Sequence, residues 1–89
     1  MSYFVYMLEC SDTTLYTGIT VDVKRRVQEH NDSAKGAKYT RVRRPVKLAY
    51  VEESDDRSSA SKREYAIKNM TKKQKLKLID SNTLLTKFV

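Results

Sequence analysis

Residues 3–10, YFVYMLEC, scarcely alternate between apolar and polar side chains, the pattern of a strand buried on both faces. Ser11 to Thr14 are turn formers. The next five residues, LYTGI at 15–19, are again β-forming, so the chain is expected to open with a hairpin. The period then changes. Val23 and Val27 stand four apart behind Asp22, a good helix N-terminal residue, which predicts a helix to about Asn31. DSAKGAK at 32–38 reads as a loop, and the basic YTRVRRP at 39–45 ends at Pro45, through which no helix continues. VKLAYVEE at 46–53 sets Val46, Leu48 and Tyr50 against Lys47 and Ala49, a third strand. Ser54 or Asp55 caps a helix from about Asp56 to Met70, and Thr71 caps another, KKQKLKLID. The apolar tail TLLTKFV at 83–89 is expected to pack back on the sheet. These elements predict an α+β fold, a three-stranded antiparallel sheet flanked by helices, forming a single domain over 1–89.

Charge narrows the partner. The chain has 89 residues and a net charge of +7, which on so short a chain favours a polyanion such as nucleic acid over an anionic membrane. Lys35, Lys38, Arg41, Arg43, Arg44 and Lys47 follow one another with no acid between them. A second basic stretch runs from Lys62 to Lys77, with Glu64 its one acid. A solvated surface that serves solubility is the competing reading. No apolar run approaches the ~20 residues of a membrane span. The N-terminus lacks the basic region of a signal peptide, and Cys10 has no second cysteine to pair with, so a buried thiol and a cytoplasmic, reducing compartment are expected.

Helical geometry then sorts the polar residues. Arg26 lies about 60° from Val23 on the rim of the apolar stripe, and His30 lies closer still. Both should face the sheet, while Arg25 faces solvent and pairs with Glu29. Glu64 falls about 40° from Ala60, within the stripe made with Ile67 and Met70. An inward carboxylate needs a salt bridge, here to Arg26 or a lysine, or a metal ion. Tyr6 and Tyr16 lie on the two hairpin strands, either as core tyrosines or, with Arg26, His30 and Glu64, as a polar site on the sheet. Gly18, one of only two glycines, follows Tyr16 near a strand end and suggests room for a phosphate to approach.

The ordered set FVY at 4–6, YTG at 16–18, Arg26, His30 and Glu64 resembles the GIY-YIG endonuclease superfamily. The block GAKYTRVRRP narrows the likeness to the small stand-alone bacterial proteins of that family. The resemblance implies hydrolysis of DNA phosphodiester bonds with a single divalent metal, Mg²⁺ or Mn²⁺, in DNA repair or processing. On that likeness Glu64 would hold the metal, Tyr16 would activate or orient water and Tyr6 would join its hydrogen-bond network. Arg26 would stabilise phosphate charge, and His30 would sit at the family's helper position. Gly18, Lys35, Lys38, Arg41, Arg43 and Arg44 would meet the nucleic acid, DNA foremost and RNA as the other option. Two letters of the first triplet and one of the second depart from the family pattern, touching packing more than chemistry. With no separate target-selecting domain, structure-selective or weakly sequence-specific cleavage is expected. The competing expectation is a non-catalytic nucleic-acid-binding module that keeps the fold.

Overall fold

β1 (Tyr3–Glu9) is the middle strand of the sheet, flanked by antiparallel β2 (Leu15–Thr20) and β3 (Lys47–Ser54) in the order β2-β1-β3. The computed structural model describes residues 2–82 and 84–88. Met1, Thr83 and Val89 lie outside the described residues, and with the last two go the ends of the expected apolar tail. The run without alternation marked the right strand. Val5 and Met7 are buried on one face, and Tyr6 and Leu8 on the other.

Helices cover both faces. The Val5–Met7 face packs with Tyr50 against Ala60 and Ile67 of α3 (Arg57–Lys68), with Leu78 and Ile79 of α4 (Lys72–Asp80) beside them. The Tyr6–Leu8 face packs with Cys10 and Val46 against Val27 of α1 (Val23–Asp32). Cys10 is a buried free thiol, as its composition suggested.

The third strand carries a surprise. Val46, Leu48 and Tyr50 alternate in sequence, yet they divide between the two faces. The register breaks between Met7 and Leu8, which pair with Tyr50 and Leu48 and leave Ala49 as an extra residue. A bulge of this kind turns the strand by one side chain. Val46 and Leu48 therefore join the α1 side, and Tyr50 joins the α3 side.

Local chemistry sets the element ends. Asp22 accepts from the Arg25 N–H at the start of α1. Asp56, one or two residues beyond the expected cap, accepts from Ser59 and begins α3. Thr71 and Gln74 form a reciprocal capping box on α4. The hairpin closes through Thr13 N–H to Cys10 C=O and Cys10 N–H to Thr14 C=O, with Thr13 in the left-handed region at φ 67°. Two asparagines tie segments to β3 and its entry. Asn31 exchanges two hydrogen bonds with the Val46 backbone, and Asn82 exchanges two with Val51. After Asn82 the chain makes a 3-10 turn, Leu84–Lys87, and the Phe88 ring meets Phe4 edge-on at 5.5 Å, so the described tail does return to the sheet.

The segment expected as a loop holds a short helix, α2 (Lys38–Arg41). Four residues are too few to show an apolar period in sequence. Arg44 fixes the approach of this segment to α1, donating to the carbonyls of His30, Glu29 and Ser33 and so satisfying the helix C-terminus.

Candidate active site

Tyr6 and Gly18 are direct partners across β1 and β2, and Leu8 pairs with Tyr16 two residues on. This register puts both tyrosines on the α1 face of the sheet. It also explains Gly18. A Cβ there would stand 2.7 Å from the Tyr6 hydroxyl oxygen and 2.8 Å from the ring carbon that bears it. The space beside Gly18 is filled by the Tyr6 ring, which corrects its expected role as an allowance for a phosphate. Gly18 acts on the site through Tyr6.

α1 brings His30 over Tyr6. His30 is fully buried, with Nε2 2.8 Å from the Tyr6 hydroxyl and Nδ1 2.8 Å from Thr40 Oγ1. Thr40 spends its own proton on the Ala37 carbonyl at 3.0 Å. The Thr40 oxygen therefore accepts from Nδ1–H, and Nε2 accepts from the Tyr6 O–H. The donors run from Tyr6 through His30 to Thr40, and the Ala37 carbonyl is the final acceptor. The electrostatics agree. Burial, helped by the Arg26 charge, pulls the His30 pKa down to about 4 and keeps the ring neutral. Burial first, then Tyr16, pushes the Tyr6 hydroxyl up to about 12 against the opposing pull of Arg26. Tyr6 is therefore a neutral donor near pH 7.

Arg26 is half-buried beside Tyr6, as its helical position required. Its Nη1 donates to Glu29 Oε1 at 3.1 Å and to the Lys35 carbonyl at 2.8 Å. The ion pair of Glu29 is thus with Arg26 and not with the expected Arg25, which stays exposed. The reason is positional: Glu29 is itself half-buried, on the side of the helix where Arg26 lies.

Tyr16 is half-buried, and its ring sits 5.1 Å from His30, 6.5 Å from Tyr6 and 6.0 Å from Tyr39. Its hydroxyl makes no hydrogen bond to another described residue. Glu64 Oε2 lies 3.4 Å from Lys68 Nζ, so a lysine of its own helix, and not Arg26, is its salt-bridge partner. The neighbouring Arg63 is committed to Glu52 at 2.9 Å.

The basic residues divide. Lys35 and Lys38 are exposed, and Arg41 is exposed with one long contact of 3.5 Å to the Gly36 carbonyl. Arg43 is anchored to Asp12 at 3.0 Å and stacks on the Tyr39 ring at 3.8 Å. Arg44 is half-buried and gives Nε and Nη2 to the last carbonyls of α1. Two residues that belong to the site escaped sequence reasoning, Tyr39 and Thr40. Both lie on α2, and the motif KYT carries no period that could single them out. On the other side of Tyr16 the site opens into a cleft of about 220 Å³ lined by Leu15, Tyr16, Thr17, Tyr39, Lys68 and Lys75.

No cluster of three or more His, Cys, Asp or Glu side chains exists among the described residues. Glu64 alone, partly exposed and loosely paired, suits a hard cation that keeps most of its water and binds through one carboxylate plus a substrate phosphate. It does not suit an ion that demands a cage of protein ligands. No helix among the described residues is long and apolar enough to cross a membrane.

Relatives carry the same framework. The chain is 57% identical over 81 residues to UPF0213 protein DP2720 of Desulfotalea psychrophila, covering 91% of this chain and 74% of that one. It is 55% identical over 78 residues to UPF0213 protein SA0446 of Staphylococcus aureus, covering 88% and 94%. Among solved structures, EF2693 from E. faecalis is 42% identical with a TM-score of 0.63, covering 91% of this chain and 85% of that one. The UPF0213 protein BH0048 from Bacillus halodurans is 41% identical with a TM-score of 0.57, covering 90% and 84%. Residues 2–77 match the GIY-YIG catalytic domain, and the chain belongs to that family.

Proposed function

We propose that the protein is a divalent-metal-dependent nuclease that hydrolyses DNA phosphodiester bonds in DNA repair or processing. The observation that supports this best is the division of labour between the two tyrosines. Tyr6 is locked as a neutral donor to His30, while Tyr16 lies beside it with an uncommitted hydroxyl.

Phosphodiester hydrolysis needs an oriented water, charge neutralisation on the phosphate and a stabilised leaving group. Tyr16 orients the attacking water, since its hydroxyl is the one the protein leaves available. Tyr6, His30 and Thr40 form the rigid backing that holds the Tyr16 ring. Arg26 uses Nη1 for Glu29 and Lys35, which leaves Nη2 and Nε of the five-donor fork for Tyr6 and a phosphate oxygen. Glu64 would hold Mg²⁺ or Mn²⁺, and such an ion supplies positive charge to the phosphate and the leaving oxygen. Lys35, Lys38 and Arg41 remain available for the DNA backbone.

Labelled DNA incubated with Mg²⁺, with EDTA, and with the Glu64→Ala and Tyr16→Phe variants tests this. Cleavage that needs Mg²⁺ and drops at least a hundredfold in both variants is the expected result. Equal cleavage by wild type and Glu64→Ala would mean a contaminant. DNA binding without any cleavage would leave the non-catalytic module as the correct reading.

A further inference from the structure

Hydrolysis at Tyr16 leaves the lysines of α3 and α4 without a task. Lys68 closes α3, and Lys72, Lys73 and Lys75 fall within the first four residues of α4, whose first turn holds no acid. Cations at a helix N-terminus oppose the helix dipole, so this placement does not serve the helix. Its end is capped by Thr71 and Gln74 instead. Lys72 and Lys75 stand three apart and so share one side of α4. That side meets the β1–β2 hairpin and the edge strand β2. Lys72 Nζ donates to the Thr13 carbonyl at 3.0 Å, and Lys75 lines the cleft beside Tyr16 together with Lys68. Lys75 is half-buried, yet its ammonium has no hydrogen-bond or ion-pair partner among the described residues. Glu64, the one acid between Lys62 and Lys77, is taken by Lys68 at 3.4 Å.

An ammonium held in the wall of an open cleft with no counter-charge of its own suits an anion that comes from outside. The surroundings say which kind. Lys35, Lys38 and Arg41 belong to the α1–α2 layer, while Lys68, Lys72 and Lys75 belong to the layer that covers the opposite face of the sheet. The cleft at the β2 edge joins the two, since Tyr39 of α2 lines it along with Lys68 and Lys75. A small anion needs one such group, whereas a backbone of repeating phosphates engages both. We propose that Lys75, with Lys68 and Lys72 beside it, is a phosphate-binding site for a nucleic-acid backbone that crosses the β2 edge and is held from both helical layers. Lysine meets phosphate as a point charge and reads no base, so the site positions the strand and confers no sequence preference. The position of the cut phosphate at Tyr16 rests on the nuclease reading above, but binding at Lys75 does not.

Fluorescence anisotropy of labelled duplex DNA in EDTA, titrated from about 50 to 200 mM salt, decides the matter. Lys75→Met should weaken binding severalfold at the lower salt and reduce the slope of log affinity against log salt by about one. Lys75→Arg keeps the charge and should hold both at wild-type values. Lys24→Met is the control. It removes the same charge from α1 beside Leu48 of β3, at the far edge of the sheet, and should leave the slope unchanged. Lys75 bonds to nothing in the fold, so Lys75→Met should melt no lower than wild type. If it does melt lower, the slope of Lys72→Met decides in its place. Equal slopes in Lys75→Met and Lys24→Met would overturn the site. Phosphatidylglycerol vesicles that bind wild type and release Lys75→Met, with DNA affinity unchanged, would assign the lysines to a lipid surface and overturn it too. A Lys75-dependent slope without Mg²⁺-dependent cleavage would sink the nuclease reading and leave the phosphate site standing. Cleavage with a wild-type slope in Lys75→Met would do the reverse.

Discussion

Tyr6 donates its hydroxyl proton to Nε2 of His30 across 2.8 Å, in a part of the molecule where the histidine is wholly shielded from water. The bond exists only while His30 is neutral, so it ties the integrity of the site to pH. The His30 pKa is about 4 in the folded protein, against 6.5 for an ordinary histidine. The unfolded chain therefore binds a proton first as pH falls. The stabilisation is complete above about pH 6.5 and is lost progressively down to about pH 4, by up to roughly 3 kcal/mol. Urea melts at pH 7.5 and 5.0 should show this loss in wild type and a flatter dependence in His30→Gln. Parallel pH profiles for the two proteins would refute the assignment.

Gly18→Ala should disturb the same bond from the opposite strand. The added methyl lies 2.7 Å from the Tyr6 hydroxyl oxygen, inside any real contact distance, in a buried sheet where the ring has nowhere to withdraw. Overpacking of this kind costs typically 1–3 kcal/mol. The diagnostic is a double-mutant cycle in denaturant: Gly18→Ala should cost clearly less in a Tyr6→Leu background. An undiminished cost there would mean that the backbone, not Tyr6, requires the glycine.

The hairpin turn contains correctable strain. Thr13 is β-branched, yet it sits at φ 67°, where a Cβ crowds the following carbonyl. Asparagine tolerates that region far better. Thr13→Asn should raise stability by about 0.5–1 kcal/mol, seen as a higher urea midpoint with an unchanged slope. An unchanged or lower midpoint would show that the threonine side chain contributes more than its strain costs.

Which parts of this molecule are readable in its sequence follows from the range of the forces involved. Tyr6, Tyr16, Arg26 and His30 meet because strand and helix periods put them on facing surfaces, and those periods are local. The Asp22 and Thr71 caps are local too. Tyr39 and Thr40 are different. Their helix has four residues, and its place is set by Arg44 reaching back to the α1 carbonyls, a tertiary event. The bulge at Ala49 is equally invisible, because an alternating strand looks the same with or without an extra residue in its partner register. Gly18 was noticeable in sequence, but only the cross-strand pairing reveals that its neighbour is the Tyr6 ring. The charge on Arg44 says nothing of its employment as a helix cap.

Lys68 offers the sharpest separation of metal binding from nucleic-acid binding. Its ammonium stands 3.4 Å from Glu64 Oε2, and it also lines the cleft beside Tyr16. A cation bound at Glu64 must displace that ammonium or tolerate its charge. Lys68→Met keeps most of the apolar stem and removes the competitor. Because the pair is partly exposed, its coupling falls in the range of about 0.2–1 kcal/mol, which corresponds to a gain of up to about fivefold in cation affinity. Mn²⁺ titration followed by electron paramagnetic resonance should therefore show tighter binding in Lys68→Met and none at this site in Glu64→Gln. The same Lys68→Met protein should bind single-stranded DNA more weakly in EDTA, having lost a phosphate partner. Opposite movement of the two affinities is the signature of a lysine shared between the carboxylate and the strand. Metal affinity that falls along with DNA affinity would show that Lys68 instead holds Glu64 in place for the ion.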